Sequence, residues 1–292
     1  MIPENGNRVR SVLVLELGGI GDVILSVPAI AALWKRFPGA DVTVLTVPRT
    51  RTVLERLGES MRGDSGAGFR SLALASADVR AGLPASSRDL STVLSLRRRR
   101  FDLLVDLSAI ESRAADMKRM LVVKFIGARL SIGRGTCGRG RFFDAFAPED
   151  LDSPLHEMER KLDVAFLLGS MSPLSAPIFP VSEREREEAA RFMKSFGIGE
   201  GDLLAAMHPA GTGAHKRWPA GNFAVAGDWL TENLGARVVM IGGPGTRGLL
   251  EEVSRQAHCR RLIAASSLSL GVAAAILERA SLFLTNDSGP MH

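Results

Sequence analysis

Four short segments of the 292-residue chain place glycines, hydroxyls, carboxylates and cations where apolar runs stop. Loops leaving rigid elements are where binding and catalytic groups concentrate. The first segment is Gly18-Gly19-Ile20-Gly21-Asp22. Its glycines allow a sharp turn and close approach of the backbone to a ligand, and a helix N-terminus beyond them would favour negative charge. A dinucleotide fingerprint would need a third glycine where Ile24 stands, and an acid where the second apolar run ends in Thr46-Val47-Pro48. An NAD-dependent oxidoreductase is therefore disfavoured. Asp22 remains, as a carboxylate offered to a ligand or as a cap on the first helical turn.

The second segment, His208 to Pro219 (HPAGTGAHKRWP), follows an apolar run and combines small residues with Thr212, Lys216 and Arg217. Proline at a helix start and a cation beside it make a phosphate cradle in physical terms, although the GxxxxGK[ST] loop is absent. An exposed basic loop fits the same residues. Lys216 is the better phosphate ligand of the two cations, while spacing alone does not separate it from Arg217. The third segment, Ile241 to Gly245, offers Gly242 and Gly243 for close approach to a base or ribose, or simply for a tight turn. The fourth is Thr285 to His292 (TNDSGPMH). Its Asn, Asp and Ser side chains suit recognition of sugar hydroxyls, or the capping of a following helix. His156, His215 and His258 match no metal-ligand spacing.

Apolar periodicity supplies the elements that must hold these segments. Strands are expected at Ser11–Leu17, Asp41–Val47, Phe101–Leu107 and Ala128–Ile132. Helices are expected at Asp22–Phe37 and Glu111–Phe125, with Pro28 distorting the first helix or delaying its start to about Ser26. Residues 61–87, rich in Gly, Ser and Ala, read as a long loop or mobile segment, and 169–180, with three prolines, as a linker. Beyond it a charged helix, Ser182–Phe196, precedes strands at Leu203–Met207, Ala236–Ile241, Leu262–Ala265 and Ser281–Thr285. These alternate with helices at Pro219–Leu234, Thr246–Ala257 and Leu268–Ala280. Such alternation implies α/β domains with parallel sheets.

Composition sets limits. An apolar fraction of 46% and a charged fraction of 24% describe a globular chain. The nearest thing to a membrane span, Leu268–Leu284, is interrupted by Glu278 and Arg279. A polar N-terminus and two distant cysteines, Cys137 and Cys259, make a reducing cytoplasm the simplest setting. The net charge of +5 lies wholly in residues 1–175, with 25 Lys/Arg against 20 Asp/Glu, while residues 176–292 carry 12 of each. The densest cluster, Arg97–Arg100, is either a solvated helix end or a site of attraction for an anionic partner.

Laid out in order, LVLELGGIGDVILSVPAIAALWKRFPGADVTVLT, HPAGTGAHKRWPAGNFAVAGDWL, VVMIGGPG and LFLTNDSGPMH resemble glycosyltransferase family 9, the ADP-heptose:lipopolysaccharide heptosyltransferases. FDLLVDL, RLSIG and HEMERKLDVAFLLG are weaker echoes, and the likeness spans nearly the whole chain. The resemblance implies a GT-B-like fold: two Rossmann-like parallel-sheet domains facing a cleft, 1–175 for the acceptor and 176–292 for the nucleotide-sugar. It implies an inverting, metal-independent transfer with Asp22 as general base, and with Thr212 and Lys216 on the diphosphate. Gly18, Gly19, Gly21, Gly242 and Gly243 would line the substrates, and Asp287, Ser288, Gly289 and His292 would contact sugar and pyrophosphate.

No cofactor is expected, ADP-heptose being a substrate. The implied partners are that donor and an anionic glycolipid acceptor at the cytoplasmic face of the inner membrane, reached by peripheral contact, with no nucleic acid. Relatives usually continue past the equivalent of His292 with a helix, a strand and a tail, so a truncated second domain of weak or no activity is expected. A relative using another nucleotide-sugar and a non-catalytic nucleotide-sugar-binding remnant remain as alternatives.

Overall fold

A computed structural model describes residues 9–61, 68–74, 87–150, 152–170, 179–211, 213, 216–243, 245–259 and 261–292. The chain divides into two compact units, Met1–Phe179 and Pro180–His292. Each is a parallel sheet with helices packed on it.

The first unit carries strands β1 (Ser11–Leu15), β2 (Asp41–Thr46), β3 (Phe69–Ala73), β4 (Leu103–Asp106), β5 (Leu130–Thr136) and β6 (Ala145–Glu149). They lie in the order β3-β2-β1-β4-β5-β6, every pairing parallel. Helices α1 (Ile20–Arg36), α2 (Arg51–Met61), α3 (Ser87–Arg98), α4 (Arg113–Ile126) and α5 (Glu157–Phe166) complete it. The central strands read as unbroken apolar runs because both of their faces are covered: Val12, Leu13, Val14 and Leu103 to Val105 are buried. At α4 the Ser112 hydroxyl accepts the Ala115 N–H at 3.1 Å, and Gly127, at φ 66°, ends the helix in the left-handed conformation. His156 turns out to be a helix cap, its Nδ1 accepting the Met158 N–H at 3.2 Å while Glu159 accepts the His156 N–H at 2.7 Å.

The second unit has β7 (Leu204–His208), β8 (Arg237–Ile241), β9 (Ile263–Ala265) and β10 (Leu282–Thr285), in the order β10-β7-β8-β9 and all parallel. Its helices are α6 (Glu183–Ser195), α7 (Ala220–Leu234), α8 (Arg247–Gln256) and α9 (Leu270–Arg279).

Several expectations need correction. The first strand ends at Leu15, so Glu16 and Leu17 belong to the loop. Helix α1 begins at Ile20 and continues past Pro28 to Arg36. Proline removes one helical hydrogen bond, but the turn around it is buried from Val23 to Ile30, and that burial outweighs the loss. Within 61–87 the structure contains β3, paired in register with β2 through Val42↔Phe69 to Thr46↔Ala73. Residues 62–67 and 75–86 of that stretch lie outside the described residues. Helices α2, α3 and α5 and strand β6 were not anticipated. The segment expected as a linker begins inside the first unit, where the buried Ser170 hydroxyl bonds Ala32 O at 3.0 Å; residues 171–178 lie outside the described residues.

Charged residues tie β5, β6 and α5 together. Arg134, almost wholly buried, donates Nε to Glu149 Oε2 at 3.0 Å and Nη2 to Glu157 Oε2 at 3.0 Å. Arg160 and the Thr136 hydroxyl also reach Glu149, at 2.9 and 2.8 Å. Burial pushes the Glu149 carboxyl up, but hydrogen bonds and charge from Arg134, then Thr136 and Arg160, outweigh it and hold the group below its ordinary value of 4.5. A depressed carboxylate stabilises the fold fully above its unfolded pKa, and that stabilisation is lost as pH falls through the folded one. Acid titration monitored by circular dichroism should therefore show stability falling as pH drops below about 4.5, and Glu149→Gln should flatten that dependence.

Candidate active site

In open parallel sheets, ligands bind beyond the carboxyl ends of the strands, where the strand order reverses direction. That point lies between β1 and β4 in the first unit and between β7 and β10 in the second. All four predicted segments except Ile241–Gly245 leave from one of these strands.

In the first unit, β1 delivers the chain into Gly18–Asp22. Asp22 sits in the first turn of α1, exposed, with Oδ2 accepting the Gly19 N–H at 2.6 Å. The capping geometry thus exists, and it holds the carboxylate at the helix mouth with its other oxygen still able to accept a proton. A Cβ at Gly18 would fall 2.6 Å from Asp22 Oδ2 and closer still to its Cβ, so only glycine fits beside this carboxylate. Gly21 is buried and Gly19 half-buried.

Sequence reasoning missed what lies beneath the loop. Glu16 is fully buried, and its Oε1 accepts the Gly18 N–H at 3.1 Å. Its Oε2 accepts from the Ser26 hydroxyl of α1 and, at 2.7 Å, from Lys161 Nζ of α5. Lys161, also buried, donates to Leu107 O at 3.2 Å, just past β4. Nearby the Leu17 N–H is held by the Ser108 hydroxyl at 3.1 Å, and buried Asp106 at the end of β4 pairs with buried Arg119. The glycine loop is therefore fastened to α1, α5 and the β4 end through one buried ion pair. The signal in the sequence was a lone Glu closing an apolar strand, since an unpaired buried carboxylate is too costly to exist.

In the second unit, Lys216 Nζ and Asp287 Oδ2 are 2.5 Å apart, with side chains 43% and 60% exposed. The Lys216 hydrogen bond, opposed by slight desolvation, holds the Asp287 carboxyl below its ordinary range. Asn286, buried, clamps the two loops: its Oδ1 accepts the Trp218 N–H at 2.9 Å and its Nδ2 donates to Pro209 O at 2.7 Å. Arg217 instead donates to Gly211 O at 2.7 Å, which separates the two cations that spacing could not. His208, at the end of β7, bonds Ile241 O through Nδ1 at 2.9 Å, and burial, partly countered by that bond, lowers its pKa.

Ser288 bonds Asn286 O at 3.1 Å, and Gly289 opens a 3₁₀ turn ending beside His292. Gly242 has no room for a Cβ against Thr246 Oγ1, whereas one at Gly243 would meet nothing, so Gly243 offers open backbone. Thr212 lies outside the described residues. No cluster of His, Cys, Asp and Glu suited to a metal occurs among the described residues, and none of their helices is long and apolar enough to cross a membrane.

Residues 90–292, well over half of the chain, match the family model for glycosyltransferase family 9 (heptosyltransferase). The chain belongs to glycosyltransferase family 9. Lys216 and Asp287 lie within the matched stretch, whereas Asp22 precedes it. No curated protein matches the chain.

Among solved structures, a family 9 glycosyl transferase from Veillonella parvula DSM 2008 superposes with TM-score 0.73 at 24% identity, covering 97% of this chain and 76% of that one. E. coli ADP-heptose lps heptosyltransferase II gives 0.70 at 22%, covering 97% and 80%. E. coli heptosyltransferase WaaC, solved with ADP, gives 0.66 at 17%, covering 97% and 83%. The family 9 chain therefore has the GT-B-like fold class of these enzymes, and it is a glycosyltransferase of the heptosyltransferase family.

Two substitutions test the site's construction. Lys161→Met removes the cationic partner of the buried Glu16 and should destabilise the protein by about 3–5 kcal/mol in chemical denaturation. Gly18→Ala would bring its Cβ to 2.6 Å from Asp22 Oδ2, and should displace that carboxylate and lower the melting temperature.

Proposed function

We propose that this family 9 enzyme transfers heptose from ADP-heptose to the inner core of lipopolysaccharide, inverting the anomeric centre without a metal. The observation that carries the reading is the Lys216–Asp287 pair, held by Asn286 where β7 and β10 diverge. A cation and a carboxylate fixed together, with backbone at hand, suit a diphosphate linked to a hydroxylated sugar. The ADP-heptose named for one E. coli neighbour and the ADP bound by the other support the choice of donor.

In this mechanism the second unit holds the donor. Lys216 faces the diphosphate with Thr212 and offsets the charge that builds on the departing ADP, an electrostatic contribution made as the glycosidic bond to phosphate breaks. Asp287, Ser288, Gly289 and His292 contact sugar and pyrophosphate, and Gly242 and Gly243 admit the nucleoside. The first unit holds the acceptor on Gly18, Gly19 and Gly21. Asp22 takes the proton of the acceptor hydroxyl as that oxygen attacks the anomeric carbon; general-base catalysis of this kind contributes about 10²–10⁴-fold. Its bond from the Gly19 N–H orients one oxygen and leaves the other for the proton. No cofactor takes part. The acceptor is an anionic glycolipid, which the enzyme meets from the cytoplasm by peripheral contact with the inner membrane; nucleic acid is not a partner.

The capping bond on Asp22 also suits a binding protein without turnover, and one variant separates the two. With Asp22→Asn, consumption of ADP-heptose on truncated lipopolysaccharide should fall about 10²–10⁴-fold while ADP affinity is retained. Unchanged turnover would reduce Asp22 to a cap. Consumption of a UDP- or GDP-sugar in preference to ADP-heptose would reassign the donor.

A further inference from the structure

Helices that lay one face on a sheet ordinarily turn polar side chains to solvent. Helix α4 does not. Val122, Val123 and Ile126 face the core, yet its outward stripe is Met117 (58% exposed), Met120, Leu121 (54%) and Phe125. Helix α3 repeats the pattern, with Val93 and Leu96 buried and Leu90 (48%) and Leu94 outward. The two helices pack side by side on the same core cluster. Arg97 joins their C-terminal ends, donating to Phe125 O and lying 4.9 Å over the Phe125 ring. Both apolar stripes therefore belong to one surface layer.

Cations ring that layer. Arg97, Arg98, Arg113 and Lys124 are exposed and Lys118 is half-exposed. Among the described side chains neither helix exposes a carboxylate: Asp89 is buried, and Asp116 is half-buried and accepts the Gly140 N–H at 2.8 Å. Exposed acids among the described residues lie only at the margins, Glu111 before the Ser112 cap and Asp144 near Lys124. An apolar stripe edged mainly by cations complements one surface in particular, the boundary between anionic headgroups and acyl chains. A second copy set face to face would bring like charges together.

We propose that the α3–α4 face seats the enzyme on an anionic bilayer, Leu90, Leu94, Met117, Leu121 and Phe125 entering the interface and the surrounding Arg and Lys side chains meeting phosphate headgroups. The inference builds on the reading of a membrane-borne acceptor. It is tested by vesicle binding and not by turnover, so each can fail alone.

Wild-type protein should co-sediment with vesicles of phosphatidylethanolamine and phosphatidylglycerol but not with phosphatidylcholine alone. The binding should be lost at about 1 M salt, where the Debye length is about 3 Å. Arg98→Glu with Arg113→Glu should weaken it at least tenfold, each lost cation being worth about fivefold. Met117→Gln with Leu121→Gln should also weaken it at least tenfold, with melting temperature unchanged because all four positions are exposed. Asp22→Asn should bind vesicles as wild type does. Absence of wild-type binding to anionic vesicles, or equal binding by all variants, would overturn the proposal. So would variants that abolish a dimer in sedimentation velocity and leave vesicle binding intact, for the face would then be a contact between copies.

Discussion

A parallel sheet sends every crossover loop out from the same edge, and the loops part company only where the strand order reverses. Each unit of this protein obeys that constraint, and its chemistry-bearing residues follow from it. Gly18–Asp22 leaves β1 beside the end of β4. His208–Pro219 leaves β7 beside Asn286 and Asp287 at the end of β10. The pairing Thr285↔His208 brings residues more than seventy positions apart to neighbouring strand ends. The register brings the two loops together, and the Lys216–Asp287 pair forms between them.

Opposite solutions hold the two sites in place. Beneath the glycine loop lies charge: Glu16 and Lys161, then Arg134 with Glu149 and Glu157, most of them buried. A buried ion pair adds little net stability over a well-packed apolar substitute, but it fixes geometry, since every misalignment strands a charge in a poor solvent. The loop that carries Asp22 is thereby tied at Gly18 N to elements more than a hundred residues away. In the second unit a neutral amide does the equivalent work, Asn286 supplying both a donor and an acceptor across two loops. The Lys216–Asp287 pair above it stays in solvent, where a ligand can exchange with either partner at little cost.

Some of the fold was plain in the chain and some was not. β1, β4 and β7 were legible because strands covered on both faces must be continuously apolar, and Leu13-Val14-Leu15 can be little else. β3 was not, because Phe69-Arg70-Ser71-Leu72-Ala73 is an edge strand with only Phe69 fully buried, and it borrows its identity from β2. The passage of α1 through Pro28 was likewise invisible, since the burial that offsets the missing hydrogen bond comes from the surrounding elements. The outward face of α4 was hidden for a related reason. RAADMKRMLVVKFI has enough apolar residues to hide any one face, and only packing tells which of them are left outside.

By itself the sequence determined the kinds of chemistry available: glycine turns, a carboxylate after the first strand, a cation after the seventh and a polar cluster after the tenth. Residue type and distance along the chain suffice for that, because turns, strand ends and helix starts are local events. Tertiary structure alone decided that Lys216 and not Arg217 faces Asp287, that Glu16 is a buried anchor and that Asn286 joins two loops. Each of these depends on which groups meet across the sheet, and a hydrogen bond or ion pair acts over a few ångströms of space however many residues of chain lie between its partners.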